Sequence, residues 1–392
     1  MFKELEAQGE ALREAARVEP LGLYLHIPFC VDRCSYCSFI STREESLRPS
    51  VLERLGQDLQ SWGDDLDHPL VDTVYLGGGT PSVLTAGELT ALTDEVKQAF
   101  NLSALLEATL EANPGTVDLA WLQVARGLGW DRISLGVQTL DDDLLRRLGR
   151  IHDARAGLGA LQQARAAGFQ RISADLMIGI PGQDLARVLD DARQLVAAGA
   201  SHLSIYMLDL DKDCPLKAEV AAGRLVLPTE DAVAEAFEAL QEALPSLGLP
   251  AYEISNYARP GQLSIHNTRY WERRPYLGLG PSSASHLGPW RWTESSDIHA
   301  WTESTGAPDI QELDPAEALA EIPLLGLRML RGIDWEDLRA RASSLALLPL
   351  VEKWEQELKI FIQLGLLTRQ GANLRFSRKG LLLSNPVLEI FV

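Results

Sequence analysis

Short apolar runs alternate along the chain with longer stretches in which apolar residues recur every three or four positions. The runs predict six strands, at 23–27, 73–76, 108–111, 132–137, 171–178 and 202–207. The stretches between them predict helices at 50–62, 86–100, 120–128, 154–167 and 184–198. Strand–helix alternation is typical of a parallel sheet with right-handed crossovers. Six units, where a TIM barrel has eight, predict an α/β fold with an open, partial (β/α)6 barrel.

The pattern changes after about residue 228. A helix is predicted over 229–244, with Thr229 as its N-cap. Residues 250–300 are rich in Tyr, Trp, Pro, Gly and His, which favours an irregular surface over a pocket. From 315 the pattern is mainly helical and ends in a hairpin, which is typical of a winged-helix-like module. The predicted regions are an N-terminal helical extension (1–21), the barrel (22–228), a linking helix with an aromatic-rich cover (229–310) and a C-terminal domain (311–392).

Composition and charge narrow the class of protein. The 392 residues are 46% hydrophobic and 23% charged, which excludes disordered and collagen-like chains. The formal net charge of −19 makes nucleic-acid binding by the C-terminal module a weak alternative, although that module carries several basic residues. Residues 1–20 lack a secretory-signal pattern, and no run of 18 apolar residues occurs. We expect a soluble cytosolic protein.

Three of the four cysteines lie close together, directly after the first predicted strand. Cys30, Cys34 and Cys37 have the spacing CxxxCxxC, which is a poor disulfide framework and indicates metal or redox chemistry. Three thiolates match three irons of a [4Fe–4S] cube, whose fourth iron stays open for another ligand. The alternative is structural zinc, which needs a fourth ligand and has only His26 or the distant Cys214 available.

Polar residues and glycines follow the other predicted strands, at the edge that carries the active site in barrels of this kind. Glu111 ends one strand and can accept hydrogen bonds from a cationic amino group, while Gln138 can contact a ribose. Asp175 lies within an apolar strand, where a carboxylate is costly unless it is paired or functional. Arg150 is its candidate partner, the alternative being an ordinary exposed cation.

Together these motifs resemble the radical S-adenosylmethionine family, in the group of oxygen-independent coproporphyrinogen III oxidase and the HemW-type heme chaperones. The resemblance runs from about Tyr24 to the C-terminus. It implies that the three clustered cysteines hold a [4Fe–4S] cluster whose open iron is chelated by S-adenosylmethionine. It implies contacts to that S-adenosylmethionine from Tyr24, Gly78 and Glu111. It also matches a set of positions that touch a second S-adenosylmethionine in the oxidase: Tyr36, Gly79, Thr80, Gln138, Arg150 and Asp175.

Two features separate the branches of this group. The oxidase motif has a further cysteine two residues after the third, where this chain has Phe39. His266 opens the sequence His-Asn-Thr-Arg-Tyr-Trp, which is similar to a chaperone motif associated with heme. Imidazole is a common axial ligand of heme iron, although a histidine among aromatics is equally often a structural residue.

The resemblance therefore implies a heme chaperone, with heme as cargo, heme-acceptor proteins such as respiratory hemoproteins as partners, and an electron donor. It assigns no catalytic residue and no nucleic-acid partner. A homodimer and peripheral contact with membrane hemoproteins stay open. The alternative function is that of the oxidase, the radical decarboxylation of the propionates of coproporphyrinogen III.

Overall fold

The six predicted strands are present and form a parallel sheet in a computed structural model that describes residues 6–210, 212–303 and 308–392. Each strand pairs in parallel with the next in chain order. Their bounds are β1 Leu21–Ile27, β2 Val71–Gly78, β3 Glu107–Ala112, β4 Arg132–Gln138, β5 Arg171–Ile178 and β6 His202–Met207. The prediction of an α/β fold built on six strand–helix units is confirmed.

Helices precede and connect these strands and bury their apolar faces against the sheet. They are α1 Glu6–Val18, α2 Arg48–Asp65, α3 Ala86–Ala99, α4 Leu119–Leu128, α5 Asp142–Arg147, α6 Ala154–Ala166 and α7 Leu185–Ala198. Side-chain caps define where several of them begin. Thr85 and Glu88 form a capping box on α3, while Asp153 and Asp184 cap α6 and α7. These caps fix the residue at which each of the three helices begins.

The sheet continues beyond both edges of the six-strand core. On one side β7 (Asn256–Ala258) pairs antiparallel with β6. On the other, β8 (Tyr276–Leu279) runs parallel to β1, followed by β9 (Ala284–Leu287), β10 (Trp290–Thr293) and β11 (Gln311–Glu312). The expectation of an irregular surface over 250–300 is therefore wrong. Strands of three or four residues are too short to show an alternating pattern in the sequence.

In the described residues, the second half of the chain adds four further helices before the C-terminal part. They are α8 Pro215–Ala221, α9 Glu230–Ser246, α10 Ile265–Trp271 and α11 Ile298–Glu303. Thr229 accepts a hydrogen bond from the backbone N–H of Ala232, so it caps α9 as predicted. No helix in the described part of the chain is long and apolar enough to cross a bilayer.

The C-terminal part is mainly helical, as predicted. Its elements are α12 Pro315–Gly326, β12 Ile333–Asp334, α13 Trp335–Ser344, α14 Leu348–Gln363, β13 Leu367–Gln370, β14 Asn373–Phe376, α15 Arg378–Leu382 and α16 Asn385–Leu388. The three short strands form a separate antiparallel sheet in the order β12–β14–β13. The hairpin of β13 and β14 beside α13 and α14 gives the winged-helix-like arrangement. The predicted domain boundaries at 21, 228 and 310 stay predictions.

Candidate cofactor site at the carboxyl ends of the strands

The segment 30–37, called here the cysteine loop, follows β1 and is tied to two distant parts of the chain. Ser35 donates from its N–H to the carbonyl of Leu148 (2.9 Å) and from its hydroxyl to the carbonyl of Arg147 (3.0 Å). The N–H of Leu216 in turn donates to the carbonyl of Ser35 (2.8 Å). The three cysteines of the loop are free thiols and partly exposed. These hydrogen bonds join the cysteine loop to the end of α5 and to the start of α8.

Two hydrogen-bond donors face the cysteine sulfurs. The Thr80 hydroxyl lies 3.5 Å from Cys30 Sγ, and Arg150 Nη1 lies 3.3 Å from Cys34 Sγ. Arg150 is thus directed at the cysteine loop, and the alternative of an ordinary exposed cation is wrong. Burial raises the pKa of the Cys37 thiol. Donors to sulfur stabilise thiolate charge, as the sulfur ligands of an iron–sulfur cluster require.

A cavity of about 350 Å³ opens beside the cysteine loop. Its size lies within the range of small-molecule sites. Most of the predicted site residues line it: Cys30, Cys34, Tyr36, Cys37, Gly78, Gly79, Thr80, Glu111, Gln138, Arg150 and Asp175. Ser134, Met177, Tyr206 and Met207 also line it and were not predicted. The signal that could have found Met177, Tyr206 and Met207 is their position at the carboxyl ends of β5 and β6, whereas Ser134 is the third residue of β4 and carries no such signal.

Two half-buried carboxylates stand at this cavity. Glu111 accepts hydrogen bonds from the Tyr75 hydroxyl (2.6 Å) and the Gly78 N–H (3.2 Å), and burial raises its pKa to about 7. Asp175 accepts from the Ser134 hydroxyl (3.3 Å), and burial raises its pKa to about 6. Each carboxylate gains stability from a cation placed in the cavity. The arrangement favours a ligand that carries a positive charge.

Unpartnered polar atoms in the cavity wall indicate a polar ligand. Gln138 is held at φ 69°, a backbone region uncommon for residues other than glycine, and its buried Oε1 has no hydrogen-bond partner. Nε of Arg150 is likewise buried without a partner. By their chemistry, the three thiols fit a [4Fe–4S] cluster with one open iron. The two carboxylates and the unpartnered polar atoms fit S-adenosylmethionine bound at that iron.

The Tyr24 side chain is placed beside this cavity rather than in its lining. Its hydroxyl lies 3.0 Å from His26 Nδ1, and its ring packs against Tyr75. His26 Nε2 lies 3.0 Å from the carbonyl of Ile40, so neither ring nitrogen of His26 is free for a metal. Among the described residues, no group of three His, Cys, Asp or Glu side chains converges on a single metal ion.

His266 lies outside the cavity, in α10 beneath the sheet. The side chain is 0% exposed, and its ring nitrogens lie 2.9 Å from the Thr73 hydroxyl and 2.8 Å from the Tyr270 hydroxyl. Burial lowers its pKa to about 3. The next charged residue of the motif, Arg269, pairs with the buried carboxylate of Asp72. In this conformation His266 and Arg269 are buried and bonded to other protein groups. The predicted role of His266 in heme binding stays a prediction.

The chain matches two family profiles and a set of full-length relatives. The Radical SAM superfamily matches residues 24–195, and the HemN C-terminal domain matches residues 313–383. The chain is 33% identical to "Heme chaperone HemW" of Mycobacterium tuberculosis over 95% of this chain and 94% of that protein. It is 31% identical to "Heme chaperone HemW" of Bacillus subtilis over 94% of this chain and 98% of that protein. The chain belongs to the HemW family.

A solved structure supports the fold of this HemW-family member. Coproporphyrinogen III oxidase (HemN) from Escherichia coli, described as a radical SAM enzyme, superposes with a TM-score of 0.84 over 97% of this chain and 93% of that chain. The two sequences are 21% identical, so the likeness concerns the fold alone. Membership of the radical SAM superfamily implies S-adenosylmethionine and a [4Fe–4S] cluster, and the predicted family is confirmed.

Proposed function

We propose that this protein is a heme chaperone, which binds heme and passes it to acceptor hemoproteins. The observation that carries the proposal is the similarity, over nearly its whole length, to relatives named heme chaperone HemW. Phe39 supports it, because this residue is 68% exposed at the cofactor cavity, where the oxidase motif has a cysteine. An exposed apolar side chain at a cavity mouth suits contact with an apolar molecule.

Cys30, Cys34 and Cys37 would hold three irons of the cluster, and S-adenosylmethionine would occupy the open fourth iron. When reduced, such a cluster supplies one electron that cleaves S-adenosylmethionine to a 5′-deoxyadenosyl radical. The Glu111 carboxylate is suited to the amino end of this ligand, because it is an anionic acceptor, and the Gly78 N–H donates to that carboxylate and so orients it. The positions matched to a second S-adenosylmethionine in the oxidase line the same cavity as Glu111 and Gly78.

The remaining assignments concern partners and location. The acceptors are hemoproteins, respiratory ones among them, and an external donor supplies the electron that reduces the cluster. We place the protein in the cytoplasm, because three neighbouring free thiols persist in a reducing compartment. Contact with membrane hemoproteins would be peripheral, and a homodimer is the assembly to test first by light scattering with and without the cluster.

The test begins with anaerobically reconstituted protein and two assays run side by side. We expect roughly four irons per chain, stable binding of hemin, and transfer of that heme to an apo-hemoprotein. The same preparation, given coproporphyrinogen III, S-adenosylmethionine and reductant, should form no protoporphyrinogen. Cys34→Ser is the matched control for the cluster. Protoporphyrinogen formation by the wild type, or no heme binding at all, would overturn the proposal.

A further inference from the structure

Five aromatic rings form a continuous row that starts beside the cofactor cavity, called here the ring chain. It runs from Tyr24 to Tyr75 (ring centroids 6.1 Å apart), then to His266 (5.1 Å), Tyr270 (5.2 Å) and Tyr276 (4.6 Å). All four separations lie within the range of directly packed rings. The row crosses β1, β2, α10 and β8, so the fold brings together rings that are far apart in the sequence.

The ring chain joins the cofactor cavity to a partly exposed part of the sheet. The Tyr75 hydroxyl donates to Glu111 (2.6 Å), which lines the cavity. At the other end Tyr276 is partly exposed. It lies opposite His286 in the sheet, and His286 lies opposite Arg291, whose side chain is 21% exposed. A small molecule in solvent can therefore approach the Tyr276 end.

Packed aromatic rings are common in protein cores, but three hydroxyls of the ring chain also face a base. The Tyr24 hydroxyl lies 3.0 Å from Nδ1 of His26. Nε2 of His26 lies 3.0 Å from the carbonyl of Ile40. Because a carbonyl only accepts, Nε2 carries the proton and Nδ1 accepts from the tyrosine. The second base is Glu111, which accepts from Tyr75.

The third pair is Tyr270 with His266, in the middle of the ring chain. The Tyr270 hydroxyl lies 2.8 Å from Nε2 of His266, and the Thr73 hydroxyl lies 2.9 Å from Nδ1. Burial lowers the pKa of His266 to about 3 and also lowers the pKa of His26, so both rings are neutral near pH 7 and can accept a proton. Burial raises the pKa of all three tyrosines, so each must release its proton when it is oxidised. A base within hydrogen-bond reach takes up that proton and makes the oxidation easier.

We propose that the ring chain carries single oxidising equivalents from the cofactor cavity to the surface, where a soluble thiol removes them. This inference goes beyond the proposed function and concerns the cofactor site alone, not the heme cargo. Such an exit protects a site that forms a radical when no hydrogen donor is bound. The oxidation then ends on a replaceable small molecule and not on the side chains of the cavity.

Each step moves one electron, and each proton has a place to go. A carbon-centred radical in the cavity takes an electron from Tyr75 and a proton from water, which forms a C–H bond, while the Tyr75 proton moves to Glu111. Tyr270 then returns an electron to Tyr75 across His266, the Glu111 proton goes back, and the Tyr270 proton moves to His266. Tyr276 restores Tyr270 in the same way and exchanges its own proton with water. A thiol gives the last electron, releases its proton to water and becomes a thiyl radical.

The test places a photo-oxidant at the cavity and reads the far end of the ring chain. A ruthenium polypyridyl complex is attached to a full-length Phe39→Cys variant whose four native cysteines are replaced by serine. It is illuminated with a soluble electron acceptor and a biotin–phenol probe that couples to tyrosyl radicals. We expect mass spectrometry to find the probe on Tyr276. Tyr270→Phe and Tyr75→Phe keep the rings, remove the oxidisable phenols, and should each abolish this labelling.

The matched control is Tyr252→Phe. The Tyr252 hydroxyl also faces a buried histidine, at 2.9 Å from Nε2 of His202, but its ring lies outside the ring chain. This variant should be labelled on Tyr276 like the parent protein, and far-UV circular dichroism confirms the fold of each variant. A second readout uses cluster-loaded protein incubated with S-adenosylmethionine and reductant. Covalent modification of cavity residues, mapped by mass spectrometry, should rise in Tyr270→Phe and not in Tyr252→Phe.

The proposal is overturned if Tyr276 of the parent protein is not labelled, or if a folded Tyr270→Phe or Tyr75→Phe variant is labelled as strongly as Tyr252→Phe. The ring chain would then be ordinary core packing. Neither result touches the hemin-binding and heme-transfer assays, so the proposed function stands or falls separately.

Discussion

Replacing His266 tests whether its motif is structural or binds heme. The side chain is fully buried, and its two hydrogen bonds go to Thr73, which is itself buried, and to Tyr270. Truncation of a core ring to alanine costs about 2–5 kcal/mol, and the unpaired Thr73 hydroxyl adds about 1–3 kcal/mol. We expect His266→Ala to lower the free energy of unfolding by about 4 kcal/mol, a large share of a typical total.

The protonation of His266 gives a second, independent magnitude. Its pKa in the folded protein is about 3, below the value of about 6.5 for an unfolded histidine. Between pH 6.5 and pH 3 the unfolded chain therefore binds a proton at this histidine that the folded chain does not bind. The free energy of unfolding consequently falls as the pH drops below about 6.5 towards 3. Linkage gives about 2 kcal/mol of that loss by pH 5. A His266→Gln variant lacks this titration and should show a pH dependence shallower by that amount.

The assay is urea unfolding followed by far-UV circular dichroism at pH 8 and pH 5, on cluster-free wild type, His266→Ala and His266→Gln. The reasoning is refuted if His266→Ala unfolds within 1 kcal/mol of the wild type, a threshold set by ordinary surface substitutions. It is also refuted if the pH dependence of His266→Gln matches that of the wild type. A tenfold loss of hemin affinity in a His266→Gln variant of unchanged stability would show that the motif binds heme directly.

Three further predictions concern the cofactor site and the buried ion pair. A Cβ at Gly79 would lie 2.8 Å from the Phe29 carbonyl oxygen and 3.0 Å from Cys30 Sγ, so Gly79→Ala should shift the start of the cysteine loop and lower iron incorporation. Gly127→Ala, with open space around it, should not, and equal iron contents in the two variants would contradict this. Glu111→Gln should weaken S-adenosylmethionine binding about tenfold by calorimetry at pH 8, and wild-type affinity should fall as the pH drops through about 7, where the carboxylate becomes protonated. Arg269→Met should cost about 3 kcal/mol in urea unfolding, because it removes the buried one of the two arginines that pair with Asp72 and leaves only the partly exposed Arg274. Arg331→Met, which breaks a pair at the surface, should cost less than about 1 kcal/mol.

Local pattern was enough to predict the six-strand core and the cysteine loop. Apolar runs of four or more residues and a fixed cysteine spacing are read from neighbouring positions. The ends of parallel strands share one edge, so residues as distant as Glu111 and Asp175 could be expected to share a site, and both line one cavity. Their grouping follows from topology rather than from any detail of side-chain packing.

The surroundings of a single side chain could not be predicted in the same way. His266 is buried because α10 inserts beneath β2, and that contact joins residues far apart in the sequence. Tyr24 points at a histidine two residues away instead of into the cavity. Strands β7 to β11 were not predicted, because each is too short to show an alternation of apolar and polar residues.

The pairing of β8 with β1 has a consequence for how the protein is made. Gly22 in the first strand lies opposite Tyr276, in the last third of the chain. At ribosomal rates of 5–20 residues per second, the free edge of β1 waits roughly 13–50 seconds for its partner. That edge is buried and apolar in the finished sheet, and an open apolar edge recruits other strands. The nascent chain is therefore most prone to self-association before residue 276 leaves the ribosome. A truncated chain ending near residue 228 would lack β8, and this edge of β1 would stay unpaired.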